Sequence, residues 1–180
     1  MNKKSTVTVP ARLGDAAEVN YGRPPAADFG PLARDRVPVR AMADGDLHAL
    51  IAIDRKITGR DRSHYLEQKF AEATRDTDVC VSLVVERDGA PVGFIMGRVD
   101  FGEFGRMEPT AVMDTIGVDP DCQDQGIGRA LLSQLLVNLE TLRIERVRTE
   151  IDWHDHALAV FLDSCGFAPS PQLCFERSLI

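Results

Sequence analysis

The sequence predicts an α/β (α+β) domain in which a mixed, mostly antiparallel sheet is flanked by helices. Two observations indicate this: a hairpin turn signal between alternating segments in the middle of the chain, and a strongly periodic helix between two strand patterns further on. Hairpins pair strands antiparallel, whereas a helical crossover pairs them parallel, so the two together predict a mixed sheet. At 180 residues, one domain buries a core without help from disulfides or metals.

The first half of this domain is predicted from strand alternation and helix-start signals. Two helices begin near Leu47 and Ser63, because apolar residues there follow helical spacing and residues 58–61 interrupt it. Arg87-Asp88-Gly89 is a hairpin turn signal. The strands predicted in this half are residues 37–42, 79–86, 91–99 and 110–118.

The second half is dominated by one long amphipathic helix over residues 126–142. Leu131, Leu135 and Leu139 lie on a single stripe of this helix, which indicates a face buried against the sheet. The remaining predicted elements are a strand over 145–153, a short helix over 155–164 and a closing strand over 174–179.

Residues 1–36 differ in character from residues 37–180. The first stretch holds four prolines, at positions 10, 24, 25 and 31, and shows little periodicity. It is predicted to be an N-terminal extension without chemistry of its own, and residues 37–180 are predicted to form the functional domain.

Composition excludes several classes of protein. The net charge of −7 argues against nucleic acid as the main partner, because proteins that bind a phosphate backbone usually carry a basic face. The four cysteines show no C-x-x-C spacing, so neither a metal site nor a disulfide framework is expected. No apolar run approaches the roughly 20 residues of a membrane span, and no signal peptide is evident, so we expect a cytoplasmic protein without a membrane partner.

The segment with the clearest chemistry lies between the strand that ends at Val118 and the long helix. Pro120 stops the strand, and a loop with Gly126 and Gly128 then runs directly into the helix. The first N–H groups of a helix lack partners and lie at the positive end of its dipole, so they form an anion site. Arg129 opposes that dipole from the first turn, a placement that suits a bound anion.

This loop resembles the phosphate signature Q/R-x-x-G-x-G/A of the GCN5-related N-acetyltransferase (GNAT) superfamily. Gln123, Gly126 and Gly128 match the signature, and Val118 and Pro120 match the family's V-x-P lead-in. The element order over residues 37–180 is similar as well. The loop lacks the third glycine of a Rossmann fingerprint and the Gly-Lys-Ser/Thr of a P-loop.

The resemblance implies the GNAT acyl-CoA N-acyltransferase fold and the family's chemistry. Acetyl-CoA is then the cosubstrate, no metal takes part, and the acetyl group passes directly to a primary amine of a small molecule, peptide or protein. The family also implies that main-chain groups of Ile116 and Val118 pair with the pantetheine arm like an added strand. Gly117 between them indicates a bulge or a close approach of backbone.

The backbone N–H groups of residues 125–129 are implied to hold the coenzyme A pyrophosphate. The full set of residues expected to bind coenzyme A is Ile116, Gly117, Val118, Gln123, Asp124, Gln125, Gly126, Ile127, Gly128, Arg129 and Asp155.

Residues 155–167 resemble a second family pattern, N-x-x-A-x-x-x-Y-x-x-x-G-F. Asp155 takes the Asn position, and Gly166 and Phe167 match. Leu162 stands where many members have a tyrosine that protonates the departing thiolate, so the usual general acid is missing. A free thiol has a pKa near about 8.5, so a thiolate leaves near neutral pH with modest help.

Transfer to an amine also needs a group that removes a proton from the ammonium form. The candidate bases are Asp114, Glu150 and Asp152 on the two central strands and Glu103 in a loop with glycines and aromatic residues. By the two-residue period of a strand, Asp114 is expected to share a face with Ile116 and Val118. For each strand carboxylate the alternative is a purely structural salt bridge or hydrogen bond.

Residues 53–65 lie where the first helices of the family form the acceptor wall. Their basic side chains, Arg55, Lys56, Arg60, Arg62 and His64, suit an acidic part of the substrate, the 3′-phosphate of coenzyme A, or a solvated helix face.

A second function class stays open beside the enzyme. Without the usual tyrosine, the chain also fits a non-catalytic acyl-CoA sensor or interaction module that retains the pocket. The family implies acetyl-CoA and an amine acceptor as partners, and because homodimers are frequent in it, a homodimer is also considered.

Overall fold

The computed structural model describes residues 36–74, 81–100, 109–172 and 175–178, which form one five-stranded sheet with helices on both faces. The strands are β1 (Val39–Ala41), β2 (Leu83–Arg87), β3 (Ala90–Asp100), β4 (Thr110–Val118) and β5 (Arg146–Arg148). The helices are α1 (Leu47–Thr58), α2 (Ser63–Thr74), α3 (Ile127–Thr141) and α4 (His156–Ser164). The predicted fold class is confirmed.

The strands follow the chain order across the sheet, and only the last pair is parallel. β3 and β4 pair along their whole overlap, from Gly93 opposite Val118 to Asp100 opposite Thr110. β5, by contrast, pairs with β4 only from Thr110 to Val112. β4 therefore continues for six residues, 113–118, past its last partner in β5.

Each face of the sheet carries its own apolar core. The predicted α3 stripe is confirmed, because Leu131, Leu135 and Leu139 are buried with Leu162 of α4 on one face. On the other face α1 and α2 pack apolar side chains around Phe94 of β3. Burying one such side chain contributes about 1.5–3 kcal/mol, so both helix layers hold the sheet between them.

Two predicted strands are wrong in extent. The predicted strand over 145–153 ends at Arg148, and residues 175–178 of the predicted closing strand form no strand, while 174 and 179 lie outside the described residues. Past Arg148, the one hydrogen bond to β4 that the structure describes is from the Thr149 hydroxyl to the Met113 carbonyl oxygen, at 2.9 Å. Alternation alone does not extend a strand, because a strand also needs main-chain partners on a neighbour.

The predicted extension lies outside the described residues except for Arg36. Among the helices that are described, none has the length and apolar character to cross a membrane.

Candidate coenzyme A site and active site

The separation of β5 from β4 leaves one edge of β4 open. Residues 115–118 pair with β3 on one side, and no described strand pairs with them on the other. We call this side the free edge of β4. The main-chain groups of an unpaired strand edge are available to a ligand that carries amide groups of its own.

The free edge leads directly into the N-terminus of α3. The Asp119 N–H donates to the Val92 carbonyl oxygen at 2.8 Å, and Pro120 begins a short 3₁₀ turn over Pro120–Cys122. Gly126 then caps α3 in the left-handed conformation, with φ of +78°, and no side chain caps this helix end. The first N–H groups of the 15-residue helix are thus left without a side-chain acceptor.

The conformation of Gly126 fits the close approach of a phosphate. A Cβ at this position would meet no atom within 4 Å, so the space in front of the turn is open. Asp124 also has a left-handed backbone, with φ of +59°, which bends the loop sharply before the helix. The backbone at the start of α3 is therefore open at Gly126, as an anion site at a helix N-terminus requires.

Packing explains the glycine at position 117. A Cβ there would lie 2.8 Å from the Phe94 ring and 3.2 Å from the Ile57 side chain, so the close approach that the structure shows comes from side chains of β3 and α1. A Cβ at Gly128 would make ordinary contact with the Phe161 ring at 3.4 Å. Packing against α4 therefore does not require a glycine at position 128.

Three basic side chains from three elements surround the loop. Lys56 of α1 contacts Asp119 at 2.8 Å and Asp121 at 3.2 Å. The hydrogen bond to Asp119 raises the pKa of Lys56 and lowers the pKa of Asp119. Arg129 of α3 donates to the Ser164 hydroxyl at 3.3 Å, so it also ties α3 to α4.

The third basic residue, Arg87 at the end of β2, is one that sequence reasoning missed. Its Nη1 donates to the Gln125 side-chain oxygen at 2.5 Å. Arg87 lies 38 residues before Gln125, and only the antiparallel pairing of Gly93 with Val118 brings the β2–β3 turn to this end of the sheet. No local sequence pattern carries that information.

Asp114 lies at a bulge in β4, which corrects its predicted orientation. Met96 pairs with Thr115 and Gly97 pairs with Met113, so Asp114 is an extra residue without an opposite partner. Because the bulge shifts the alternation by one residue, Ile116 packs with the α3-side core whereas Asp114 contacts α2. The expectation that they share a face is wrong.

The Asp114 side chain belongs to an ion-paired cluster. It accepts a short hydrogen bond from Arg98 and lies 3.3 Å from the Lys69 nitrogen, while the Tyr65 hydroxyl donates to the Asp114 carbonyl oxygen at 3.4 Å. Hydrogen bonding to Asp114 raises the pKa of Arg98, and hydrogen bonding to Glu72 raises that of Lys69. The cluster matches the structural alternative, and a proton-transfer role for Asp114 stays a prediction.

The other candidate bases differ from Asp114 in exposure and partners. Glu150 and Asp152 are exposed beyond the end of β5, and among the described residues no hydrogen bond or ion pair joins either of them to Asp114. Asp152 accepts a hydrogen bond from the His154 N–H at 2.8 Å, which lowers the pKa of Asp152. Glu103 lies outside the described residues.

The second family pattern falls on α4. Asp155 caps this helix, because its Oδ1 accepts a hydrogen bond from the Leu158 N–H at 3.0 Å. Leu162 is 6% exposed and lies in the apolar core, so its position presents no proton donor. A role for Asp155 in coenzyme A binding stays a prediction beside this capping role.

Three of the basic residues on the predicted acceptor wall are neutralised by carboxylates. Arg55 pairs with Asp61 at 2.9 Å, and Lys56 pairs as described above. Arg62 binds both oxygens of buried Asp54, at 2.5 and 3.1 Å, and stacks on the Tyr65 ring. These ion pairs hold α1, α2 and the loop together, and a substrate role for Arg60 and His64 stays a prediction.

The chain matches the family model described as "Acetyltransferase (GNAT) family" over residues 47–167. This match covers more than half of the chain, so the chain belongs to the GNAT acetyltransferase family.

One curated relative is named as an acetyltransferase. The mycothiol acetyltransferase of Propionibacterium freudenreichii subsp. shermanii is 26% identical to this chain in an alignment of 137 residues. The alignment covers 69% of this chain and 41% of that protein. The chain thus spans about two fifths of the length of the curated relative it matches.

Solved structures share the fold. A transcriptional regulator from Bacillus halodurans C-125 superimposes with a TM-score of 0.65 at 16% identity, covering 79% of this chain and 99% of that one. The aminoglycoside N-acetyltransferase AAC(6′)-Iy in complex with CoA gives 0.65 at 13% identity, covering 79% and 94%. An aminoglycoside acetyltransferase, meta-AAC0020, from an uncultured soil metagenomic sample in complex with sisomicin gives 0.64 at 19%, covering 82% and 99%.

Proposed function

We propose that this protein is an N-acetyltransferase that moves the acetyl group of acetyl-CoA directly to a primary amine of a small molecule, peptide or protein, without a metal. The observation that carries the proposal is the free edge of β4 running into the uncapped N-terminus of α3 through Gly126. A strand edge suits the amide-bearing pantetheine arm, and a helix N-terminus suits the pyrophosphate.

The binding roles follow from this arrangement. The N–H groups of residues 125–129 hold the pyrophosphate, and the main chain of Ile116 and Val118 orients the pantetheine arm. Acetyl-CoA supplies the activated acetyl thioester. The separation between β4 and the segment after β5 then gives the amine a route to the thioester end of the free edge.

Proton removal from the amine falls to one of the candidate bases or to water held by them. Asp114 lies nearest the free edge in the chain, but it is already ion-paired, whereas Glu150 and Asp152 are exposed. General-base catalysis contributes about 10²–10⁴-fold in rate. Replacing the true base by its amide should therefore lower kcat/KM by that factor. Replacing the other candidate carboxylates by their amides should not lower it to that extent.

Acetyl-CoA binding to two variants of Gly126 tests the site by calorimetry. Asparagine and aspartate both tolerate a left-handed backbone and match in shape, and the space in front of Gly126 is open, so Gly126→Asn and Gly126→Asp fold alike. We expect Gly126→Asp to bind at least about tenfold more weakly than Gly126→Asn, because its carboxylate repels the pyrophosphate. Equal affinities, or no binding by the wild type, would contradict the site.

The sensor hypothesis predicts binding without turnover. Membership of the acetyltransferase family favours the enzyme. Release of free coenzyme A thiol is measured with a panel of amines that includes sisomicin, because a structurally similar aminoglycoside acetyltransferase was solved with it. Turnover with any amine supports the enzyme, and binding without thiol release across small amines, peptides and proteins supports the sensor.

A further inference from the structure

Arg87 reaches the phosphate loop from outside it. Arg87 is the last residue of β2, pairs with Ala90 across the β2–β3 turn, and donates to the Gln125 side chain at 2.5 Å. Gln125 directly precedes Gly126, the residue that caps α3. The guanidinium is thereby bound to the side chain of Gln125, one of the residues 125–129 whose N–H groups are proposed to hold the pyrophosphate.

The charge of Arg87 is not neutralised by a carboxylate within the described parts of the chain. Its one described hydrogen bond goes to a neutral amide oxygen. Four other arginines of this acidic chain are paired with carboxylates, namely Arg40, Arg55, Arg62 and Arg98. Among the cations around the loop, Lys56 is likewise held by two aspartates. Arg87 therefore brings a net positive charge to the loop.

The chemistry of the guanidinium matches a phosphate group. Arginine has five N–H donors in a planar fork, and one bond to Gln125 leaves the others available. Bonds from a guanidinium to a phosphate are charge-assisted and are roughly twice as strong as bonds between neutral groups. The backbone of the loop supplies N–H dipoles, and Arg87 adds a full charge to them.

We propose that Arg87 is a further coenzyme A-binding residue, whose guanidinium pairs with the pyrophosphate at the phosphate loop while the Gln125 side chain holds it in place. The inference rests on the proposed acetyl-CoA site. It assigns a contact to the β2–β3 turn, an element that lies outside the signature loop.

The test compares the acetyl-CoA dissociation constants of four proteins by calorimetry. We expect Arg87→Gln to bind about tenfold more weakly than the wild type, and Arg87→Lys to lie between them because it keeps the charge. Arg143→Gln is the matched control, since it removes the same charge at the far end of α3, a helix about 22 Å long. We expect less than a twofold change for this control.

A second ligand separates the phosphate groups. Acetyl-CoA without its 3′-phosphate keeps the pyrophosphate, so Arg87→Gln should weaken its binding by the same factor. A loss that disappears with this ligand would assign Arg87 to the 3′-phosphate and overturn the inference. Equal affinity of Arg87→Gln and the wild type, or no rescue by lysine, would overturn it while leaving the proposed function in place. Failure of the wild type to bind acetyl-CoA would defeat both.

Discussion

At the scale of single residues, the two buried carboxylates among the described residues serve as partners for arginine. Asp54 and Asp46 are 3% and 5% exposed, and each holds an arginine through both of its oxygens. Asp114 also pairs with an arginine, Arg98, but through one oxygen only. An acidic residue on a strand is therefore a weak signal for catalysis in this fold, because a buried carboxylate also needs a partner for structural reasons.

Asp46 gives a pH-dependent prediction at this scale. Hydrogen bonding to Arg40 lowers the pKa of Asp46 below its ordinary value of 3.8. The resulting stability is fully present above that ordinary pKa and is lost as the pH falls through the lower, folded-state pKa. Asp46→Asn should therefore lower the free energy of unfolding by about 1–2 kcal/mol near neutral pH, a figure reduced for the exposure of Arg40.

Urea unfolding of the wild type and Asp46→Asn between pH 7 and about pH 2 measures this effect. The difference between the two proteins should shrink through the acid range. Asp44→Asn, an exposed residue of the same turn, is the control and should change little at any pH. A difference for Asp46→Asn that is the same at both ends of the range would contradict the assignment.

At the scale of elements, β4 defines the site. One stretch of nine residues provides the bulge at Asp114, the free edge and the close packing at Gly117. β4 pairs with β3 along its length apart from the bulge, and this pairing holds the strand in place. On its other side it pairs with β5 only from Thr110 to Val112, so the rest of that edge is free.

Gly117→Ala tests the packing under the free edge. The added Cβ would lie 2.8 Å from the Phe94 ring, and Phe94 is 1% exposed, so the ring has little room to move. We expect a loss of about 1–3 kcal/mol in the free energy of unfolding, measured by chemical denaturation, and partial recovery when Phe94→Leu is added. Gly45→Ala is the control, because a Cβ there meets nothing within 4 Å. Equal stability of Gly117→Ala and Gly45→Ala would contradict this packing.

The helices and strands also show which features of the fold can be predicted from the sequence. The bounds of β4, Thr110–Val118, and the stripe on α3 are as predicted, because both follow from local periodicity. The bulge at Asp114 was missed, since it depends on the register with Met96 and Gly97 of another strand. The strand after α3 was predicted too long for the same reason, as its alternation carries no information about where β4 stops pairing.

The candidate site also has one part that the sequence predicts and another that it does not. The phosphate loop was predictable because strand end, proline, glycines and helix start are contiguous in the sequence. Arg87 was not, because it arrives through the pairing of β2, β3 and β4. The general base could not be chosen from the sequence either. Asp114, Glu150 and Asp152 are the same type of residue in sequence, and their different partners and exposure appear only in the folded chain.

At the scale of the whole molecule, the family match and the fold agree in extent. The family model covers residues 47–167, which span every described element from α1 to α4. The net charge of −7 coexists with basic residues from three elements around the phosphate loop. A protein that binds a tetra-anionic ligand thus needs only local positive charge.

The cytoplasmic location and the homodimer stay predictions. Gel filtration with light scattering tests the homodimer.

A crystal structure of the protein with acetyl-CoA is the most direct test of the proposed site. We expect pyrophosphate oxygens within about 2.7–3.2 Å of the N–H groups of residues 125–129. We also expect that pantetheine amides pair with Ile116 and Val118 along the free edge of β4. Acetyl-CoA bound away from this loop, or a free edge covered by another strand of the same chain, would contradict the proposed site.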